Sequence, residues 1–278
     1  MVFGQAAAFG QLDPEKRRLI QLGYNQPLEG RAPIAAYGFY YYNRPGFIET
    51  NITLRLAVAP IYLDGELGFS GVFTPNTDLG VGVAGGGFGD TYSEIRDGRY
   101  IRSESFTGHS AEVSGSIYHR LNPDWVVPAW VIGRASVHRS LYTDDSDTAE
   151  NFEVPDDLNS FNLRAGLRVG GREPSLTSPV AFEFSLWYRA HLREQSERYG
   201  FSDDRNVESA SHLFWTRSFL KYTFHESQHY FDVGFTLGGS VDADRFSAYR
   251  VGGFLPFVAG FPMKLPRYYF QELSAGKL

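Results

Sequence analysis

The chain has 278 residues, a formal net charge of -6, 42% hydrophobic and 16% aromatic residues, 30 glycines and no cysteine. The acidic balance argues against nucleic acid as a partner, and the missing cysteines exclude a disulfide framework and thiolate metal sites. No stretch approaches the roughly 18 apolar residues of a membrane-spanning helix, although a mean hydropathy of -0.28 suits a membrane strand protein in which only alternate residues face lipid.

Residues 1–31 read as an N-terminal segment outside the main fold. Residues 2–10 are weakly apolar around Ala6, Ala7 and Ala8, which fits either the end of a secretory signal or a plain terminus. Asp13 and Pro14 suit the N-cap and first helical positions and Gly23 suits a stop, so a short helix is expected over 14–22.

From residue 32 to 278 the pattern changes to a period of two. Ile52, Leu54, Leu56 and Val58 share one face, and Ile61, Leu63, Leu67 and Phe69 continue it with shifted parity. One long strand with a bulge at Pro60 accounts for the shift, and a tight turn at Pro60 is the alternative, which would move the later loops to the other end. Gly80, Gly82, Gly85, Gly86, Gly87 and Gly89 lack the lysine and hydroxyl residue of a phosphate loop and read as a curved part of a wall. Next, Ala111, Val113, Gly115 and Ile117 oppose Glu112, Ser114, Ser116 and Tyr118. Ala129, Val131, Ala135 and Val137 then oppose Arg134, Ser136 and His138. Phe161, Leu163, Ala165, Leu167 and Val169 oppose Asn162, Arg164 and Arg168, and Val180, Phe182, Phe184 and Leu186 oppose Glu183, Ser185, Arg189 and Arg193. Finally Phe231, Val233, Phe235 and Leu237 oppose Asp232, Thr236 and Ser240. Such alternation defines half-apolar strands.

Connections at 74–78, 122–128, 172–179 and 225–228 are short and rich in turn residues, whereas 93–105, 143–157, 194–209 and the stretch from 241 are long and polar. In a meander, alternate connections share an end, so one end carries turns and the other carries loops. A soluble sandwich alternates as well, with an aromatic core in place of a lipid-facing wall. The asymmetry of the ends, with aromatic clusters at Tyr37–Tyr42 and Tyr268–Phe270, points instead to an all-β, antiparallel up-and-down transmembrane β-barrel of about 10–12 strands in a bacterial outer membrane.

In that arrangement Arg55, Asp64, Glu66, Glu112, Arg134, Arg164, Arg168, Glu183, Arg189, Arg193, Arg217, Lys221 and Asp232 fall on the inward face. An Arg or Lys facing lipid at the midplane costs roughly 2–4 kcal/mol, so these charges are expected to line a lumen. The lumen is then either an ion-paired, plugged interior or a polar conduit that prefers anions. Other chemistry is sparse. Asp144, Asp145, Asp147, Glu150, Glu153, Asp156 and Asp157 form an acidic loop, readable as a calcium ligand set but more simply as a solvated loop. His138, His191, His212, His225 and His229 lack zinc spacing, and a rim hydrolase built on Asp203, Asp204 and His212 matches no hydrolase motif. The expectation is a non-enzymatic protein without cofactor or metal.

The segment Asp244-Arg245-Phe246-Ser247-Ala248-Tyr249-Arg250-Val251-Gly252-Gly253-Phe254 resembles a strand end of the bacterial surface antigen superfamily, the BamA- and TamA-like barrels. There an aromatic-x-Leu-Gly-Gly pattern precedes a long loop with an Arg-Gly-aromatic tip that folds into the lumen. In this sequence Arg250, Gly252 and Gly253 stand in the first pattern, and Ala259, Gly260 and Phe261 align with the tip, alanine replacing arginine. The resemblance implies an outer-membrane barrel without POTRA repeats that acts in transport or membrane-protein assembly, with the lipid bilayer and unnamed periplasmic or envelope proteins as partners. The alternative is a structural or surface-interaction barrel with a closed interior. The final strand, beginning near Tyr268, ends without a terminal aromatic. That leads to the expectation of an incomplete barrel, with about four further strands after the loop near Arg250.

Overall fold

A computed structural model describes residues 16–24, 36–88, 90–170, 180–224, 229–247 and 273–277. The described chain is all-β. Its strands are β1 (Arg17–Tyr24), β2 (Ala36–Pro45), β3 (Ile52–Ala59), β4 (Tyr62–Phe69), β5 (Thr77–Gly86), β6 (Tyr92–Arg96), β7 (Arg99–Arg120) and β8 (Ala129–Asp144). They continue with β9 (Leu158–Gly170), β10 (Val180–Arg193), β11 (Glu197–Tyr199), β12 (Arg205–Val207), β13 (Ala210–Thr223), β14 (His229–Val241) and β15 (Leu273–Lys277). One 13-stranded sheet runs β1-β2-β3-β4-β5-β7-β8-β9-β10-β13-β14-β15, with β6 paired to β7 alone and β11–β12 forming a separate ribbon. Neighbours on this path pair antiparallel, as a meander requires. Among the described residues β1 and β15 do not pair with each other.

The alternation in sequence becomes an inversion of the usual polarity. Val81, Val113, Val137, Phe161, Leu167, Phe184 and Leu186 stand exposed on one face of the sheet. On the other face Asp64, Glu66, Ser114, Ser116, Ser136, Asn162, Arg168 and Ser185 are buried. A soluble sheet turns the first set inward and the second outward.

Among the described residues no second layer of structure covers the polar face, and the sheet is curved. Phe246, just beyond β14, shows how far that curvature goes. Its ring lies 5.7 Å from Tyr92, 6.2 Å from Phe106 and 5.6 Å from Tyr142. Since β14 lies five steps from β7 in the sheet order, a flat sheet would separate them by about 24 Å.

Three sequence expectations are corrected. The helix expected over 14–22 is replaced from residue 17 by β1, in register with β2 from Arg17↔Asn43 to Tyr24↔Ala36. A helix of nine residues is marginal by itself, whereas a strand edge satisfies the backbone and sets Ile20 opposite Tyr40. The sheet thus begins well before residue 32. The second correction is at Pro60, which does not bulge one long strand. It opens a two-residue turn, and β3 folds back on β4 from Ala59↔Tyr62 to Ile52↔Phe69. Proline fixes φ for the first corner of such a turn and has no N–H to lose. The third concerns 93–105, which form not a loop but a hairpin of β6 with the first part of β7.

The Pro60 turn puts the connections 46–51, 70–76 and 121–128 at one end of the sheet. At the other end are 60–61, the β6 hairpin, 145–157 and the β11–β12 ribbon. Among these described connections the expected division into a turn end and a loop end holds from 70–76 onward, while the two-residue turn at 60–61 departs from it by lying at the loop end. Those at 171–179 and 225–228 lie outside the described residues, as does the greater part of 241–272.

Candidate functional site: the charged inner face and its cap

Strand parity puts the predicted inward charges on the buried face, and register sorts them into two groups. The first spans β3 to β8. Arg55 lies 3.2 Å from Asp64 and 3.5 Å from Glu66, while Arg134 lies 2.9 Å from Glu112 and 3.8 Å from Glu66. Room for Glu66 comes from β5, where a Cβ on Gly80 would sit 2.9 Å from its Cδ. His138 extends the group, 2.8 Å from Asp90 and 3.5 Å from Glu112, and Ser140 donates to the same Asp90 oxygen at 2.6 Å. In this half, the arginines have carboxylates.

The second group spans β9 to β13 and is basic. Arg164 and Arg168 of β9, Arg189 of β10 and Arg217 of β13 share this face with Glu183, which lies 3.9 Å from Arg217 and accepts a hydrogen bond from Ser185. Arg189 donates to Asn162 at 3.1 Å. Arg164 lies over the indole of Trp187 at 4.1 Å, and Trp187 stacks on Trp215 at 6.0 Å. Lys221 and Asp232 are direct cross-strand partners, but their side chains lie outside the description.

The loop end is closed by a cap. Phe106, Phe152, Leu158, Tyr199 and Val207 form a buried cluster against which Tyr92, Tyr142, Phe201 and Phe246 pack. Beneath it Glu94 and Glu104 receive Arg96, Arg205 and Arg245. Arg193, the remaining predicted inward arginine, belongs here, where it pairs with fully buried Asp244 at 2.5 Å. Asp244 also accepts the backbone N–H groups of Glu208, Phe246 and Ser247. One carboxylate thus ties β10, the β12–β13 junction and the segment after β14 together. Burial raises the Glu104 carboxyl, but hydrogen bonds from Arg96 and Arg205 outweigh that and hold it below its usual value. Side-chain and backbone donors of Asn159 likewise lower Glu194. Burial pushes the Tyr199 hydroxyl up.

Other predicted sites disperse. Asp145 accepts from Thr107 and Asp157 from the Tyr142 N–H, so these acids brace the loop, and no cluster suited to a metal ion occurs among the described residues. Asp204 holds a turn through the Phe201 N–H, while His212 stacks on Tyr188 and bonds its hydroxyl at 2.9 Å. The rim arrangement of Asp203, Asp204 and His212 is therefore not assembled. Arg250, Gly252, Gly253, Gly260 and Phe261 lie outside the described residues.

Sequence reasoning missed the cap residues Glu94, Glu104, Arg205 and Asp244, having assigned their segments to loops. The Asp97-Gly98 pair was the available signal for the first two. No family model, curated protein or solved structure matches the chain.

Proposed function

We propose that the chain forms a β-barrel of a bacterial outer membrane and acts in transport, with its charged inner face as a lumen for small anionic solutes. The observation that carries the reading is the inverted sheet, apolar side chains exposed outward and charges buried inward. In water such a surface forfeits about 25 cal/mol for every Å² of exposed apolar area. In a bilayer the same rows meet acyl chains, and the antiparallel ladder satisfies the backbone, provided the sheet closes. The basic half of the lumen favours anions. The reading as an outer-membrane relative of surface antigens rests only on the resemblance around residues 244–254, and no geometry favours assembly over transport.

A second reading has one observation in its favour. The aromatic cap at the loop end suits a barrel with a closed interior that displays its loops. Conductance separates the two. The protein refolded into bilayers should migrate differently on gels before and after boiling, and should conduct with a preference for anions. Replacing Arg168 and Arg189 by glutamate should shift the reversal potential toward cations without blocking insertion. Soluble monomer in detergent-free buffer overturns the membrane reading, and heat-modifiable protein without conductance overturns transport in favour of the closed barrel.

A further inference from the structure

We infer that the basic half of the inner face is a binding site for a solute carrying an oxyanion, phosphate or carboxylate, held by Arg164, Arg168 and Arg217 beside the Trp187–Trp215 platform. The inference deepens the transport reading by naming what the lumen recognises.

Register supplies the first argument. Arg134, Arg164 and Arg189 are direct cross-strand partners on β8, β9 and β10. Like charges set opposite each other destabilise a sheet. Arg134 is neutralised by Glu112 and Glu66, and Arg189 has Asn162. Arg164, in the middle of the row, forms no ion pair among the described residues. Four residues further along β9, beyond Gly166, Arg168 and Arg217 flank Ser185 from the two neighbouring strands. Arg168 is only 5% exposed and, among the described residues, no carboxylate lies within ion-pair distance of it. The Nε groups of both Arg164 and Arg168 are buried without a hydrogen-bond partner. Serine fills equivalent wall positions at Ser114, Ser116, Ser136 and Ser185, so a buried polar face does not require arginine.

The platform supplies the second. Gly166 lies between the two arginines on the same face of β9, and a Cβ there would come within 2.3 Å of the Trp187 ring. The glycine therefore lets the indole lie against the strand. The Arg164 guanidinium carbon lies 4.1 Å from the centroid of that indole, and a guanidinium recognises an oxyanion through two parallel N–H donors. Arg217 flanks Ser185 opposite Arg168, and Trp215 on its strand stacks on the Trp187 that carries Arg164, so the three arginines surround one platform. An oxyanion placed there relieves the repulsion and supplies the missing acceptors. Glu183, beside Arg217, is the only carboxylate to compete in this group among the described side chains.

The test uses full-length protein in detergent at constant ionic strength, titrated with inorganic phosphate and, separately, with succinate against a chloride background. Tryptophan emission and the melting temperature should respond saturably to one or both oxyanions and not to chloride, and whichever arm saturates at lower concentration identifies the group. Arg164→Gln with Arg168→Gln should weaken binding by roughly tenfold or more, with a melting temperature in chloride no lower than the parent's. Arg139→Gln, on an exposed arginine of β8 that pairs with Asp157, should change nothing. Glu183→Gln, which leaves all three arginines in place, should tighten binding. An unsaturable response, or an affinity unmoved by the arginine substitutions and not raised by Glu183→Gln, overturns the site. Heat-modifiability of the same samples reports on the barrel separately: a heat-modifiable protein without a saturable response loses the site and keeps the barrel, and the reverse result loses the barrel and keeps the site.

Discussion

At position 80 the side chain is a hydrogen because Glu66 occupies the space beside it. Gly80 faces inward on β5, and its missing Cβ lets the Glu66 carboxylate reach both Arg55 and Arg134 at 3.5 and 3.8 Å. Gly80→Val should push Glu66 aside and leave two buried guanidiniums sharing fewer carboxylates. The cost is overpacking of about 1–3 kcal/mol plus part of the ion-pair energy. The check is the temperature at which the heat-modified gel form appears, expected to fall relative to the parent. Val83→Leu, on the exposed face of the same strand, should leave it unchanged. Parity alone assigned the inward charges that the structure describes to the buried face. Their partners were not legible, because whether Arg134 meets Glu112 or Glu183 depends on strand order and register, and those follow from turns whose exact lengths the alternation does not reveal.

Elements divide by how they announce themselves. Strands from β7 to β10 were legible because each carries several consecutive alternations. The two hairpins at Pro60-Ile61 and Asp97-Gly98 were obscured for opposite reasons. Alternation runs almost unbroken through the first, so a parity shift resembles a bulge. In the second, the polar run 93–105 hides strands that carry glutamate and arginine in place of apolar residues. Asp97 and Gly98 have φ of 52° and 74°, the left-handed pair that makes a two-residue hairpin with the right twist. Gly98→Val should cost about 1–2 kcal/mol through that backbone conformation. Because β6 pairs with β7 alone, the effect should stay local. Limited proteolysis of refolded protein should show faster cleavage near residue 98 with unchanged heat-modifiability, and cleavage no faster than in the parent would show that the turn does not hold the hairpin. Good cap residues at Asp13 and Pro14 favour a helix where β1 forms. Its pairing with β2 outweighed them, as tertiary partners commonly do for short segments.

For the whole molecule the question is what opens the capped end. The cap is drawn from β6, β7, the 145–157 loop, the β11–β12 ribbon and the segment after β14, so its stability depends on tying distant chain segments together. Glu104 and Glu194 contribute in proportion to their charge. A carboxyl held below its usual value by folded-state donors stabilises the fold at pH above that usual value, and the contribution disappears as pH falls through the lowered value. Acidification below about pH 4 should therefore weaken both: Glu104 releases Arg96 and Arg205, and Glu194 releases Asn159. The segment after β14 is latched more tightly still, since Asp244 is fully buried and paired with Arg193. Removing one partner of such a pair typically costs about 3–5 kcal/mol, because the other charge is left buried alone. Asp244→Asn should thus free the segment carrying Phe246 at neutral pH. In planar bilayers the parent should conduct less at neutral pH than below about pH 4, and Asp244→Asn should conduct more than the parent at neutral pH. Heat-modifiability should persist throughout, because the strand pairings below the cap do not involve these groups. Equal conductance of parent and variant at neutral pH, with insertion intact, would show that the cap does not obstruct the lumen and that its aromatic cluster serves only to order the loops.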